Sequence, residues 1–230
     1  MKSVAIITAR GGSKRIPKKN IREFCGKPII SYSIEAALTS GVFDEVMVST
    51  DSKEIADISM KYGAKVPFFR SDKNSSDYAT TADVLTEVID EYQKRGMEFE
   101  YMACIYPTAP LITAEKLKRG MEMLTDGCTK MVMPVVKFSY PPQRGYIMEE
   151  GVLNMKNIEN ASKRSQDLES MYHDAGQFYL VKMKNFFEEN GQIFEGIKPI
   201  ILSELEVQDI DNETDWKIAE LKYKMMIGEM

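Results

Sequence analysis

Two apolar rhythms alternate along this chain. Short runs of strand length, several of them rich in β-branched residues, occur at 4–7, 46–50, 65–69, 101–106 and 131–136. Between them, apolar residues recur at helical spacing. Residues 29–38 read as a first helix, with Pro28 suited to its opening turn and Gly41 beyond its end. Asp51-Ser-Lys-Glu54 matches a capping box in type and opens a helix to about Tyr62 that Gly63 ends. Residues 84–94 form a longer amphipathic helix, capped by Thr80 or Thr81 and halted at Gly96, and another runs from Thr113 to near Gly127. The first three strands close two strand-helix-strand units, which implies right-handed parallel crossovers. The expected class is therefore doubly wound α/β with a mostly parallel sheet.

The alternation breaks at residues 137–172. There Pro141-Pro142, scattered charge and weak periodicity predict an excursion from the sheet, an arm of the kind that often builds a dimer contact. Strand character returns at 175–181 and 199–202, with a rigid proline turn at Pro107-Thr-Ala-Pro110 earlier in the chain. A last helix starts at Asn212 with Asp215 three positions on, and its apolar face reads as Ile218, Leu221 and Met225. At 230 residues and 43% hydrophobic content, a single α/β domain over 1–230 can bury its own core. The formal charge of -5 argues against general nucleic-acid binding. Three cysteines (Cys25, Cys104, Cys128) lack metal-ligand spacing and only His173 could join them, so reduced thiols and a cytoplasmic location are expected. No apolar span approaches membrane length, so no membrane partner is expected.

Against that acidic background the stretch after the first strand is positive. In Ala9-Arg-Gly-Gly-Ser-Lys14, Gly11 and Gly12 let the backbone turn and approach a ligand with N–H groups aimed inward. Ser13 adds a hydroxyl donor, and Arg10 and Lys14 can neutralise phosphate oxygens. Neither the Walker spacing nor G-x-G-x-x-G fits. A solvated basic loop is the bland alternative, but the buried strand before it, the glycine turn and Pro17 favour an anion-binding loop. Near the other end, Asp209 and Asp211 alternate about Ile210, so both carboxylates would point to one side. That outlines a magnesium site, completed by waters and substrate phosphates. An acidic pair that merely precedes a helix would read the same way. Arg164 could clamp a substrate carboxylate or simply pair with Asp167 or Glu169.

The loop with Lys19-Asn20, Ser49-Thr-Asp51, Pro107-Thr-Ala-Pro110 and Asp209-Ile-Asp211 with Asp215-Trp216 together resemble the CMP-sialic acid synthetase family, nearly end to end. Arg164-Ser-Gln-Asp-Leu168 and Tyr172-His-Asp-Ala-Gly-Gln-Phe-Tyr179 look most like its pseudaminate-activating branch. The resemblance implies a mixed sheet of Rossmann-like nucleotide-binding topology and a homodimer whose excursion reaches the neighbouring subunit. It also implies Mg2+-dependent transfer of the cytidylyl group from CTP to the anomeric hydroxyl of a nine-carbon keto sugar acid, with release of pyrophosphate. Carried over, it places Ala9, Arg10, Gly11, Gly12, Ser13, Lys14 and Asn20 at the nucleotide, with Arg70 and Thr81 near cytosine. Arg10, Lys14 and Asp211 would be catalytic, Asp209 and Asp211 would hold the metal, and Tyr106, Arg164, Asp174, Gln177 and Tyr179 would face the sugar acid. Tyr106 and Asp174-Ala-Gly176 stand where sialate enzymes carry Gln and Asn-Gly, which favours pseudaminate over sialate. The base that deprotonates the sugar stays open between a metal-bound hydroxide and Asp211. Other readings are activation of a sister acid (sialic or legionaminic), a sugar-1-phosphate nucleotidyltransferase, and a nucleotide sensor without turnover.

Overall fold

The computed structural model describes residues 2–229. In chain order its main elements are β1 (Ser3–Thr8), the short pair β2 (Glu23–Phe24) and β3 (Lys27–Pro28), α1 (Ile30–Ser40), β4 (Glu45–Ser49), α2 (Lys53–Lys61), α3 (Asp72–Ser75), α4 (Thr81–Lys94), β5 (Tyr101–Ile105), α5 (Ala114–Thr125), β6 (Met131–Lys137), the hairpin β7 (Tyr146–Glu149) and β8 (Val152–Met155), β9 (Tyr172–Asp174), β10 (Phe178–Lys182), α6 (Met183–Glu188), β11 (Ile197–Leu202) and α7 (Glu213–Ile227).

The central sheet runs β11-β6-β10-β5-β1-β4, with β9 also paired to β6. β1 is parallel to both β4 and β5, and β11 is parallel to β6, whereas β10 runs antiparallel between β5 and β6. The fold is thus α/β with a mixed sheet. Alternation along β1 sends Ala5 and Ile7 into a core with α1 and α5, and Val4 and Ile6 into a second core with α4 and α6. A third, smaller cluster lies off the sheet. It joins Ile16 of the basic loop, Phe24, Ile29 and Tyr32 to Ile210 and Trp216 near the end of the chain.

Local signals hold where the chemistry is local. Thr80 caps α4 in a reciprocal box with Asp83, Thr113 caps α5, Asn212 caps α7 in a box with Asp215, and Gly41 closes α1 in the left-handed region. Other expectations are corrected. Residues 65–69 make only a bridge between Lys65 and Met47, because Pro67 has no N–H to continue the ladder. Pro28 lies in β3 rather than in α1, and Ser52 caps α2 in place of Asp51. The strand expected at 175–181 begins at Phe178. Helix α7 buries Trp216 and Ala219, while Ile218, Leu221 and Met225 are exposed, since it rests on the small third cluster through one stripe. The excursion after β6 carries the β7–β8 hairpin, with Tyr146, Ile147, Met148, Val152 and Leu153 exposed. Cys25, Cys104 and Cys128 are free thiols, and no helix among the described residues is long and apolar enough to cross a membrane.

Candidate functional site

The loop after β1 leaves the carboxyl edge of the sheet, where open α/β sheets bind ligands. Ala9 is buried and its N–H donates to Ser49 O at 2.9 Å, so it extends the sheet rather than offering a donor to a ligand. The Gly11 N–H donates to Asp51 Oδ1 at 2.7 Å and is already engaged. What Gly11 supplies is close approach: a Cβ there would come within 3.2 Å of Ser52 Cβ. Asn20 is buried and donates to Arg10 O at 2.8 Å, bracing the loop from beneath. Gly12, Ser13, Lys14 and Lys19 line a cleft of about 420 Å³ together with Arg10 and Tyr106.

Arg10 also borders a second cavity, of about 260 Å³, lined by Arg70, Asp77, Thr80 and Thr81. Arg70 is buried, with Nε donating to Ser49 Oγ at 3.0 Å and Nη2 to Ser49 O at 2.6 Å. Burial lowers its pKa, against the raising influence of Asp51 and Glu87. It is held rigidly by the end of β4.

The acid pair sits beside the basic loop. Ile210 is buried in the third cluster, which turns Asp209 outward and leaves Asp211 half-exposed. Arg15 Nη1 lies 2.6 Å from Asp211 Oδ2, and Lys19 Nζ donates to Ile210 O at 2.7 Å. Burial lowers the Lys19 pKa, while Asp211 and Asp209 act to raise it. Two elements almost two hundred residues apart in sequence thus meet at one edge. No third acidic, histidine or cysteine ligand joins Asp209 and Asp211 among the described residues.

A third cavity, of about 630 Å³, extends from Asp209 to Tyr106, Asp174 and Tyr179. The Tyr179 hydroxyl donates to Asp174, and Tyr106 packs edge-on against Tyr179 at 5.7 Å. Burial raises the Tyr179 pKa most, with the Asp174 contact adding to it. The cations on this wall are Lys137 and Lys222. Two residues expected here are elsewhere. Arg164 lies on the excursion and its guanidinium makes the surface pair with Asp167 that is its other reading, at 2.8 and 3.0 Å. Gln177 is buried beneath the cleft, where it donates to Glu206 O at 2.6 Å and anchors the turn leading to the acid pair. Sequence reasoning gave no site role to Asp51, Arg15 or Asp77. Asp51 carried a signal in its place after a strand's carboxyl end and Arg15 in its place in the basic stretch, while Asp77 carried none.

The cytidylyltransferase family's sequence profile matches residues 4–217. The pseudaminic acid cytidylyltransferase of Campylobacter jejuni subsp. jejuni serotype O:2 is 42% identical over 226 residues, covering 98% of this chain and 97% of that one. The CMP-N,N'-diacetyllegionaminic acid synthase of Legionella pneumophila is 35% identical over 96% of this chain and 95% of that one. A solved CMP:2-keto-3-deoxy-manno-octonic acid synthetase complexed with CTP superposes with a TM-score of 0.72 over 100% of both chains, at 17% identity, a likeness of fold alone.

Proposed function

Because this chain belongs to the cytidylyltransferase family, we propose that it activates pseudaminic acid with CTP, giving CMP-pseudaminic acid and pyrophosphate. The observation that carries the reading is the meeting of the Arg10–Lys14 loop with Asp209 and Asp211, through Arg15 and Lys19. The likeness to the Campylobacter enzyme supports the choice of sugar.

The nucleotide base enters the cavity at Arg70 and Thr81, and the triphosphate lies along Gly12, Ser13 and Lys14. The sugar acid fills the space between Tyr106, Tyr179 and Asp209, with Lys137 facing its carboxylate, while the Lys222 ammonium is held by Glu204 O and Val207 O at 2.8 and 2.7 Å. Little covalent participation is needed from the protein. In-line attack by the anomeric oxygen on the α-phosphorus needs alignment, which the two adjoining cavities provide, and charge neutralisation, which Arg10 and Lys14 provide. Asp209 and Asp211 would hold Mg2+: a two-carboxylate donor set suits an ion that takes its remaining ligands from water and phosphates. When bound, such an ion stabilises negative charge on the transferring phosphoryl oxygens. The chain works as a homodimer through the exposed apolar hairpin β7–β8.

Pyrophosphate release with CTP tests this against pseudaminic, sialic and legionaminic acids. The highest kcat/KM is expected with pseudaminic acid, and a preference for another acid overturns the substrate. Sedimentation of the same sample should give the mass of two chains, and a single-chain mass at micromolar concentration contradicts the dimer.

A further inference from the structure

The turn at residues 76–79 lies across the route between the two cavities that meet at Arg10. Asp77 stands at that junction. Its Oδ1 accepts from Arg10 Nη1 at 2.7 Å and its Oδ2 accepts from Lys14 Nζ at 2.5 Å, while Ser76 O accepts from the same Arg10 nitrogen at 3.3 Å. A single carboxylate therefore engages, through both oxygens, the two cations that face a polyphosphate in the reaction. Hydrogen bonds from Lys14 and then Arg10 hold the Asp77 carboxyl below the usual carboxylate range, so it is an anion at neutral pH. The turn has few other ties: Tyr78 beside it is 95% exposed, and among the described residues the Asp77 side chain makes no further hydrogen bond.

We propose that Asp77 is an internal competitor for the polyphosphate seat, gripping Arg10 and Lys14 until CTP displaces it and regaining them as pyrophosphate departs. The inference rests on the CTP reading above. Its physical content is a subtraction. Both carboxylate contacts must break before phosphate oxygens take their place, so their free energy is withdrawn from the binding of any polyphosphate. The contacts are solvent-exposed, which makes each weak and the combined effect modest, about three- to tenfold in affinity. A device of this strength loosens ground-state binding and hastens product loss without abolishing recognition. If Asp77 instead held the two cations in place for the substrate, its removal would weaken binding, the opposite sign.

Calorimetric titration of CTP and of inorganic tripolyphosphate into the wild-type chain, Asp77→Asn and Asp77→Ala tests it, with thermal melts to verify that the variants fold. Both variants are expected to bind tripolyphosphate and CTP about three- to tenfold more tightly, with KM for CTP lowered by a similar factor and kcat not raised. Unchanged or weaker tripolyphosphate binding in the variants overturns the inference, as does a wild-type chain that does not bind tripolyphosphate at all. A wild-type chain that binds tripolyphosphate but not CTP overturns the CTP reading instead, and the Asp77 comparison still stands.

Discussion

Replacing Asp209 by Asn should lower kcat by about 10²- to 10³-fold while moving the dissociation constant for CTP by less than about tenfold. The side chains proposed to face the nucleotide belong to other elements: Arg10, Ser13 and Lys14 on the loop, Arg70 in the segment before α3, tied to Ser49 at the end of β4, and Thr81 at the start of α4. Asp209 lines the cavity of Tyr106 and Tyr179 that we propose for the sugar acid, beside which charge would develop as the anomeric oxygen approaches phosphorus. Asparagine preserves its volume and removes its charge, so the loss falls on the reacting state rather than on the bound one. Steady-state pyrophosphate release and calorimetry with CTP separate the two quantities. Undiminished turnover would remove Asp209 from the chemistry, and a chain with CTP affinity but no turnover before substitution would be a sensor rather than an enzyme.

Trp216→Ala should destabilise the fold by about 3 to 5 kcal/mol, read from urea denaturation. Trp216 is 2% exposed, packs edge-on against Phe24 at 5.6 Å and carries the Arg22 guanidinium 4.5 Å above its ring. Its neighbours in the same cluster are Ile16 of the basic loop and Ile210 between the two aspartates. Truncation therefore loosens the joint that brings loop and acid pair together, and KM for CTP should rise in the fraction that stays folded. A loss below about 1 kcal/mol, with KM unchanged, would mean that the third cluster does not set this geometry.

What could be read in advance was local. Thr80 with Asp83 and Asn212 with Asp215 announce helix starts because a cap and its partner lie three residues apart. The alternation about Ile210 placed the isoleucine inward because period two is a property of the backbone. Contacts between distant segments were beyond such rules. Nothing near Asp77 foretells that it meets Arg10 and Lys14 more than sixty residues away. The antiparallel course of β10 depends on where the excursion returns, which its own residues do not encode. Arg164 and Gln177 were expected at the sugar from resemblance. In this chain Arg164 pairs at the surface with Asp167 three residues on, and Gln177 donates to a backbone carbonyl while its buried Oε1 has no partner among the described residues.

The most direct measurement is a crystal structure with Mg2+ and a non-hydrolysable CTP analogue. The account predicts phosphate oxygens at about 3 Å from Arg10 and Lys14, and electron density for a metal joining them to Asp209 and Asp211. A nucleotide seated away from this edge, or an acid pair still facing only Arg15 and solvent, would contradict it.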